Sequence, residues 1–353
     1  MEIVSQDKRM VHYDLLRIVA AFSVVMLHSA GQKWYELPVT GREWQIADAW
    51  DALFRFGVPI FVMISGVIFL SRDVDIRRLY SHNIFRLLAM YLIWSGIYGL
   101  YDCRNFDLQA AGWKAVLKEV LSGRYHLWFL PMIVGIYMLL PILRTWVKNA
   151  GKRELQYFFL LFLFLKVLVF TISAMSKGYI ATYVAERTDI AEIGMVCSYI
   201  GYFILGYYIV RYGIPEKWHR VIYISVIPCM LLNIILDRVL SIRAGMPMGQ
   251  IYDCYGLFTF MIVIAIFLFF TNVVGRVHFG SLSARILREL SADTLGIYVM
   301  HIGLLEYLEE KGIDSMLLPN IVGIPLLALC CFAVCAVFAA CLRRIPLLGR
   351  YLC

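Results

Sequence analysis

Long apolar runs alternate with short polar segments along nearly the whole chain. Ten runs are candidates to cross a bilayer as helices: 14–31, 50–70, 84–101, 125–143, 155–174, 193–210, 219–237, 252–272, 292–309 and 319–341. A crossing takes about 20 predominantly apolar residues in helix. The fourth and ninth runs carry the most polar side chains. The pattern predicts an all-α polytopic membrane protein, a bundle of about ten transmembrane helices forming one integral membrane domain over 1–353. The composition agrees, with 61% hydrophobic and 16% charged residues among 353. A soluble domain is nearer 45–50% and about 25%. No internal repeat, low-complexity tract or linker interrupts the series.

The formal net charge of +8 would suggest nucleic acid in a soluble protein; here its distribution between loops decides its meaning. With the N-terminus inside, the inside segments hold 18 Lys or Arg and the outside segments 11; Arg17, Arg55, Arg86 and Lys166 lie within or at the edge of spans. The bias predicts an N-in, C-in arrangement and no nucleic-acid partner. Lys8 and Arg9 precede the first run, but Arg17 and His28 inside it argue for a retained span rather than a signal peptide. Trp34, Trp44 and Trp113 suit an interfacial belt in the outside connections. The nine cysteines form no CxxC pair and no zinc-type cluster. Cys330, Cys331, Cys335 and Cys341 share one apolar helix and read as packing or lipid-facing thiols, so no metal is expected.

Ionisable residues inside spans are costly and mark candidate sites. In YDLLRIVAAFSVVMLHSA, Arg17 and His28 are 11 residues apart, about 20° off three full helical turns, and so share a face about 16 Å apart along the axis. Asp14 lies one turn before Arg17 on the same face. This stripe can form a polar path with His28 as a proton acceptor; an interfacial Asp–Arg pair and a packed histidine would give the same pattern. Gly57, Pro59, Ser65 and Gly66 allow close packing or a break in the second span. Arg72, Arg77, Arg78 and Arg86 form a basic cluster before and inside the third; guanidinium forks of this kind hold phosphates, and positive-inside topology also produces them. His126 and Trp128 open the fourth span. His301, with Tyr298 one turn before it, lies in the ninth. His301 and Glu306 have an acyltransferase-like spacing, but five helical residues point them about 140° apart.

Taken in order, YDLLR with Arg17-x10-His28, FGVPIFVMISGVIF, the basic stretch ending at Arg86, HLWFLPMIVGIYMLLPIL and LGIYVMH resemble the acyltransferase-3 family of integral membrane acyltransferases, in its surface-polysaccharide O-acetyltransferase branch. The motifs cover 13–146 and 290–302. The resemblance implies a multi-pass protein of the bacterial plasma (inner) membrane. It would move an acyl group, acetyl by family habit, from cytoplasmic acyl-CoA to a hydroxyl of a cell-surface glycan or related acceptor. His28 matches the family's essential histidine, Arg17 the arginine opening its motif, and Arg86 the last arginine of an RxxR motif. Asn83, beside His82, departs from that motif, and Arg77 or Arg78 are candidates to replace the missing contact. The implied roles are catalytic for His28, Arg17 and Asp14, acetyl-CoA-binding for Arg86, Arg77 and Arg78, and acceptor-binding for Trp128, His126, Tyr298 and His301. Two other classes could use the same polar stripe. One is a transporter or flippase, marked by inverted repeats or paired broken helices, which the sequence does not display. The other is a small-molecule uptake or sensing module. The acceptor, the acyl chain and the oligomeric state are not encoded in any motif.

Overall fold

The computed structural model describes residues 10–103, 117–118, 121, 123–176, 199–346 and 348–353. Among these every regular element is helical. In chain order they are α1 (Val11–Gly31), α2 (Arg42–Phe54), α3 (Gly57–Ser71), α4 (residues 76–103), α5 (Tyr125–Asn149), α6 (Lys152–Met175), α7 (Ile200–Tyr212), α8 (Glu216–Ala244), α9 (Leu257–Asn272), α10 (Ser281–Glu310), α11 (Asn320–Arg343) and the short α12 (Leu348–Leu352). Eight segments are long and apolar enough to cross a membrane, with α2 and α3 counted as one. The expected all-α polytopic class therefore holds, and a described helix lies at each of the ten expected positions. The two outside the eight are α7, with 13 described residues, and α10, whose polar side chains lower its hydropathy. Trp113 lies outside the described residues.

Helix α1 is the hub and packs against α2, α3, α9, α10 and α11. Helix α3 crosses α7 so closely that a Cβ on Gly66 would overlap the Phe203 carbonyl, and one on Gly206 the Met63 carbonyl. Small residues at a crossing let two backbones approach where lipid gives no hydrophobic drive. The glycines expected to allow close packing or a break do both, because the second span breaks at Arg55–Phe56 and separates α2 from α3.

The outside connection expected over 32–49 is instead helical from Arg42. This extension carries Asp48 and Asp51, both buried, into the bundle. Arg55 pairs with Asp51 at 2.5 Å and lies over the Tyr252 ring at 5.1 Å; Tyr252 donates to Asp48 at 2.9 Å. Asp237 of α8, also buried, accepts from Ser241 at 3.1 Å and meets Asp48. The belt expected of Trp34 and Trp44 is likewise corrected. Both are buried, their rings 5.9 Å apart, and the Trp44 indole donates to the Trp34 carbonyl at 3.0 Å. The indole polar ends are turned inward by α2, so the pair fills the core rather than a headgroup layer. Lys166 resolves as a cation over the Tyr255 ring at 4.5 Å. Cys331 and Cys335 are buried and Cys330 and Cys341 exposed, all four free thiols.

Candidate functional site

A cavity of about 750 Å³ opens among α1, α3, α4, α5, α10 and α11, within the range of small-molecule sites. Its lining includes Arg17 of α1, His82, Asn83 and Arg86 of α4, and Arg343 of α11. Among the described residues the lining includes the guanidinium groups of Arg17, Arg86 and Arg343 and no Asp or Glu side chain. Ser65 and Tyr137 line the wall, within reach of each other's hydroxyls. Val24, Phe129 and Tyr298 also line the cavity, and Val24 is one turn short of His28.

The α4 contribution has a local cause. Its residues Leu79–Ile84 form a π-helical turn between two α-helical stretches. Such a turn inserts one residue and shifts the faces that follow; it is common at functional positions. Here it lets His82, Asn83 and Arg86 all reach the cavity. Arg86 donates to a main-chain oxygen of Cys353, and Trp94 of α4 donates to the Leu352 carbonyl at 3.1 Å. Arg77 and Arg78 are exposed on the preceding turn and are not among the lining residues. His82 and Arg343 line the cavity together with Asn83 and Arg86, whereas Arg77 and Arg78 stay outside it. Arg343 is steered by Asp293 and Glu289, each at 2.7 Å.

Beyond Tyr298 three histidines gather. The His28 and His301 ring centres are 5.1 Å apart, and those of His301 and His126 are 5.4 Å apart. Tyr298 joins cavity and cluster: its hydroxyl donates to the His126 carbonyl, and its ring lies 5.5 Å from Phe129 and 6.0 Å from His301. His301 and His126 are buried, whereas His28 keeps partial exposure. Asp14 is buried near the opposite end of α1. Trp128 is exposed, its ring 5.5 Å from Tyr199. Of the expected residues, the structure therefore brings His28, His126, Tyr298 and His301 together and places Arg17 and Arg86 in the adjoining cavity. Asp14, Arg77, Arg78 and Trp128 are absent from the lining.

The far side of the histidine cluster is closed by ion pairs. Arg124 bridges Asp102 and Glu306, each at 2.5 Å, and lies 5.9 Å from the centre of the Tyr98 ring. Lys33 pairs with Glu309 at 2.5 Å, and this contact raises the lysine above its ordinary range. Sequence reasoning missed Arg343, Arg124 and Tyr137 as site components. Asp293, a carboxylate at the start of the ninth span, was the signal that a cation had to come from elsewhere. Among the described residues no group of three or more His, Cys, Asp or Glu is arranged to hold a metal ion.

Comparison with known proteins fits this geometry. A family model described as "Acyltransferase domain" matches residues 11–340, so the chain belongs to the acyltransferase-3 family and is a multi-pass membrane acyltransferase. No curated protein and no solved structure gives a significant match. The family resemblance drawn from the motifs is borne out. The match also spans 150–285, where hydropathy alone had pointed to the family.

Proposed function

We propose that this acyltransferase takes an acetyl group from acetyl-CoA in the cavity and passes it to a hydroxyl of a glycan or related acceptor, with His28 as general base. The observation that carries the reading is the place of Tyr298, which lines a cavity bearing three guanidinium groups and packs against His301, the ring beside the partly exposed His28. Guanidinium groups bind phosphate oxygens through paired hydrogen bonds. Arg86 and Arg343 suit the diphosphate of the donor, and exposed Arg77 and Arg78 suit the 3′-phosphate outside the mouth. Arg17 stands along the wall, where it would orient the donor arm, with Asp14 one turn away to steady it.

In the reaction, neutral His28 accepts the proton of the acceptor hydroxyl as its oxygen bonds to the thioester carbonyl carbon. The C–S bond breaks, and the proton passes from His28 to the leaving thiolate, giving the acetyl ester and CoA. A hydroxyl is a weak nucleophile, so a base at hydrogen-bond reach is needed. His126, Tyr298 and His301 shape the acceptor end, and Trp128 offers a stacking face for a sugar. The loop charges support entry of the donor from the cytoplasm of a bacterial cell, with both termini on that side.

The test uses purified protein in lipid nanodiscs, acetyl-CoA as donor, and release of the CoA thiol as readout. Wild-type protein releases thiol, and His28→Ala lowers the rate at least about 100-fold without lowering acetyl-CoA-dependent thermal stabilisation. Full activity in His28→Ala refutes the assignment of the base. Absence of both thiol release and stabilisation by acetyl-CoA refutes the donor.

A further inference from the structure

His301 and His126 each have a ring nitrogen whose role is fixed by a backbone carbonyl. A carbonyl oxygen only accepts, so the nitrogen facing it carries the proton. His301 Nδ1 faces the Tyr298 carbonyl at 2.6 Å, which leaves the lone pair on Nε2. His126 Nε2 faces the Val299 carbonyl at 3.4 Å, which leaves the lone pair on Nδ1. Both nitrogens left over, His301 Nε2 and His126 Nδ1, are buried and have no partner. Both are buried acceptors without a donor, and one of them belongs to the ring that neighbours His28.

The His28 ring lies 5.1 Å from His301, and an in-line N–H···N bond between two imidazoles puts their centres about 5 Å apart. The observed spacing is thus the one such a bond requires. His301 is 0% exposed, so the part it plays at the acceptor end runs through the groups packed on it.

We infer that His301 is a positioning residue for His28: its Nε2 accepts the N–H of His28 and thereby turns the opposite, unprotonated nitrogen of His28 toward the acceptor hydroxyl. The inference rests on His28 being the base. When His28 takes the hydroxyl proton, its second N–H stays bonded to His301, which holds the imidazolium in place without itself being protonated. The proton then leaves with the thiolate as before, so His301 begins and ends the cycle unchanged. A histidine in this place supplies orientation and a dipole where a buried carboxylate would bring a full charge into the membrane. The Tyr298 carbonyl fixes the orienting tautomer, so one residue, Tyr298, both lines the donor cavity and sets the histidine pair.

The experiment compares His301→Ala, His301→Gln and His28→Ala in the full-length protein in nanodiscs, with acetyl-CoA as probe and thiol release as readout. The glutamine amide oxygen can accept the His28 N–H that alanine cannot. We expect kcat to fall about 100-fold in His301→Ala with KM for acetyl-CoA within twofold of wild type, and His301→Gln to recover at least tenfold of that loss. Wild-type kcat in His301→Ala beside an inactive His28→Ala overturns the pairing and leaves the base assignment standing. An equal loss in the alanine and glutamine variants, or a loss carried by KM, also overturns it. Full activity in His28→Ala overturns both.

Discussion

Substituting Gly66 tests whether the α3–α7 crossing holds the cavity in shape. An alanine Cβ at Gly66 would overlap the Phe203 carbonyl oxygen and lie 2.6 Å from its carbonyl carbon. Carbon atoms rest about 3.5–4.0 Å apart at optimal contact. The helices must therefore open by roughly 1 Å, and backbone cannot yield as a flexible side chain does. Overpacking of this kind costs about 1–3 kcal/mol, and the backbone clash puts this case at the upper end. At about 2 °C per kcal/mol for a protein of this size, the melting temperature should fall by about 4–6 °C. Gly206→Ala, whose Cβ would lie 2.7 Å from the Met63 carbonyl carbon, should behave alike. At Gly96 and Gly135 an added Cβ would meet nothing within 4 Å; alanine there should leave melting unchanged or raise it slightly, since alanine is the better helix former. The assay is thermal unfolding in one detergent, followed by size-exclusion fluorescence. Phe61, Ser65, Ile68 and Phe69 of α3 all line the cavity, so the same variant should weaken stabilisation by acetyl-CoA. Melting of Gly66→Ala within 1 °C of Gly135→Ala would refute the close crossing.

Further outcomes follow from the site. Arg86→Ala should raise KM for acetyl-CoA by about 10-fold or more, the loss of one charge-assisted phosphate contact, with a smaller change in kcat; a pure kcat effect would place Arg86 elsewhere. Arg343→Ala should act in the same direction and also free Asp293, so it should melt lower than Arg86→Ala. Arg55→Ala leaves Asp51 buried beside no cation, which costs about 3–5 kcal/mol; Arg55→Ala with Asp51→Asn should recover much of the loss in melting temperature, and no recovery would argue against the pair.

The bundle was legible because each crossing needs a long apolar run, and ten such runs stand apart in the sequence. Helix α2 was not, since REWQIADAWDALF mixes acids and aromatics in a pattern that reads as a loop until Tyr252 and Asp237 are seen to receive it. Helical periodicity alone put Arg17 and His28 on one stripe. The gathering of His28 with His301 required a motif on a helix more than 270 residues later, which the family pattern supplied and periodicity could not. Arg343 was hidden for a physical reason: an arginine at the end of the last span is what any inward terminus displays, and only Asp293 and the α4 turn at His82–Arg86 make it part of a cavity.

The acids of α2 bear on how the protein is made. A ribosome delivers α1 and α2 to the membrane long before Asp237 and Tyr252 exist, yet Asp48 and Asp51 are buried against those residues in the finished bundle. A segment carrying two acids is poorly suited to wait in lipid. Helix α2, hinged on α3 at Arg55–Phe56, should therefore settle into the bundle only when α8 and the start of α9 arrive. On this account the seating of α2 beside α1, the helix that carries His28, waits for α8 and the start of α9, and α10 and α11 then close on α1.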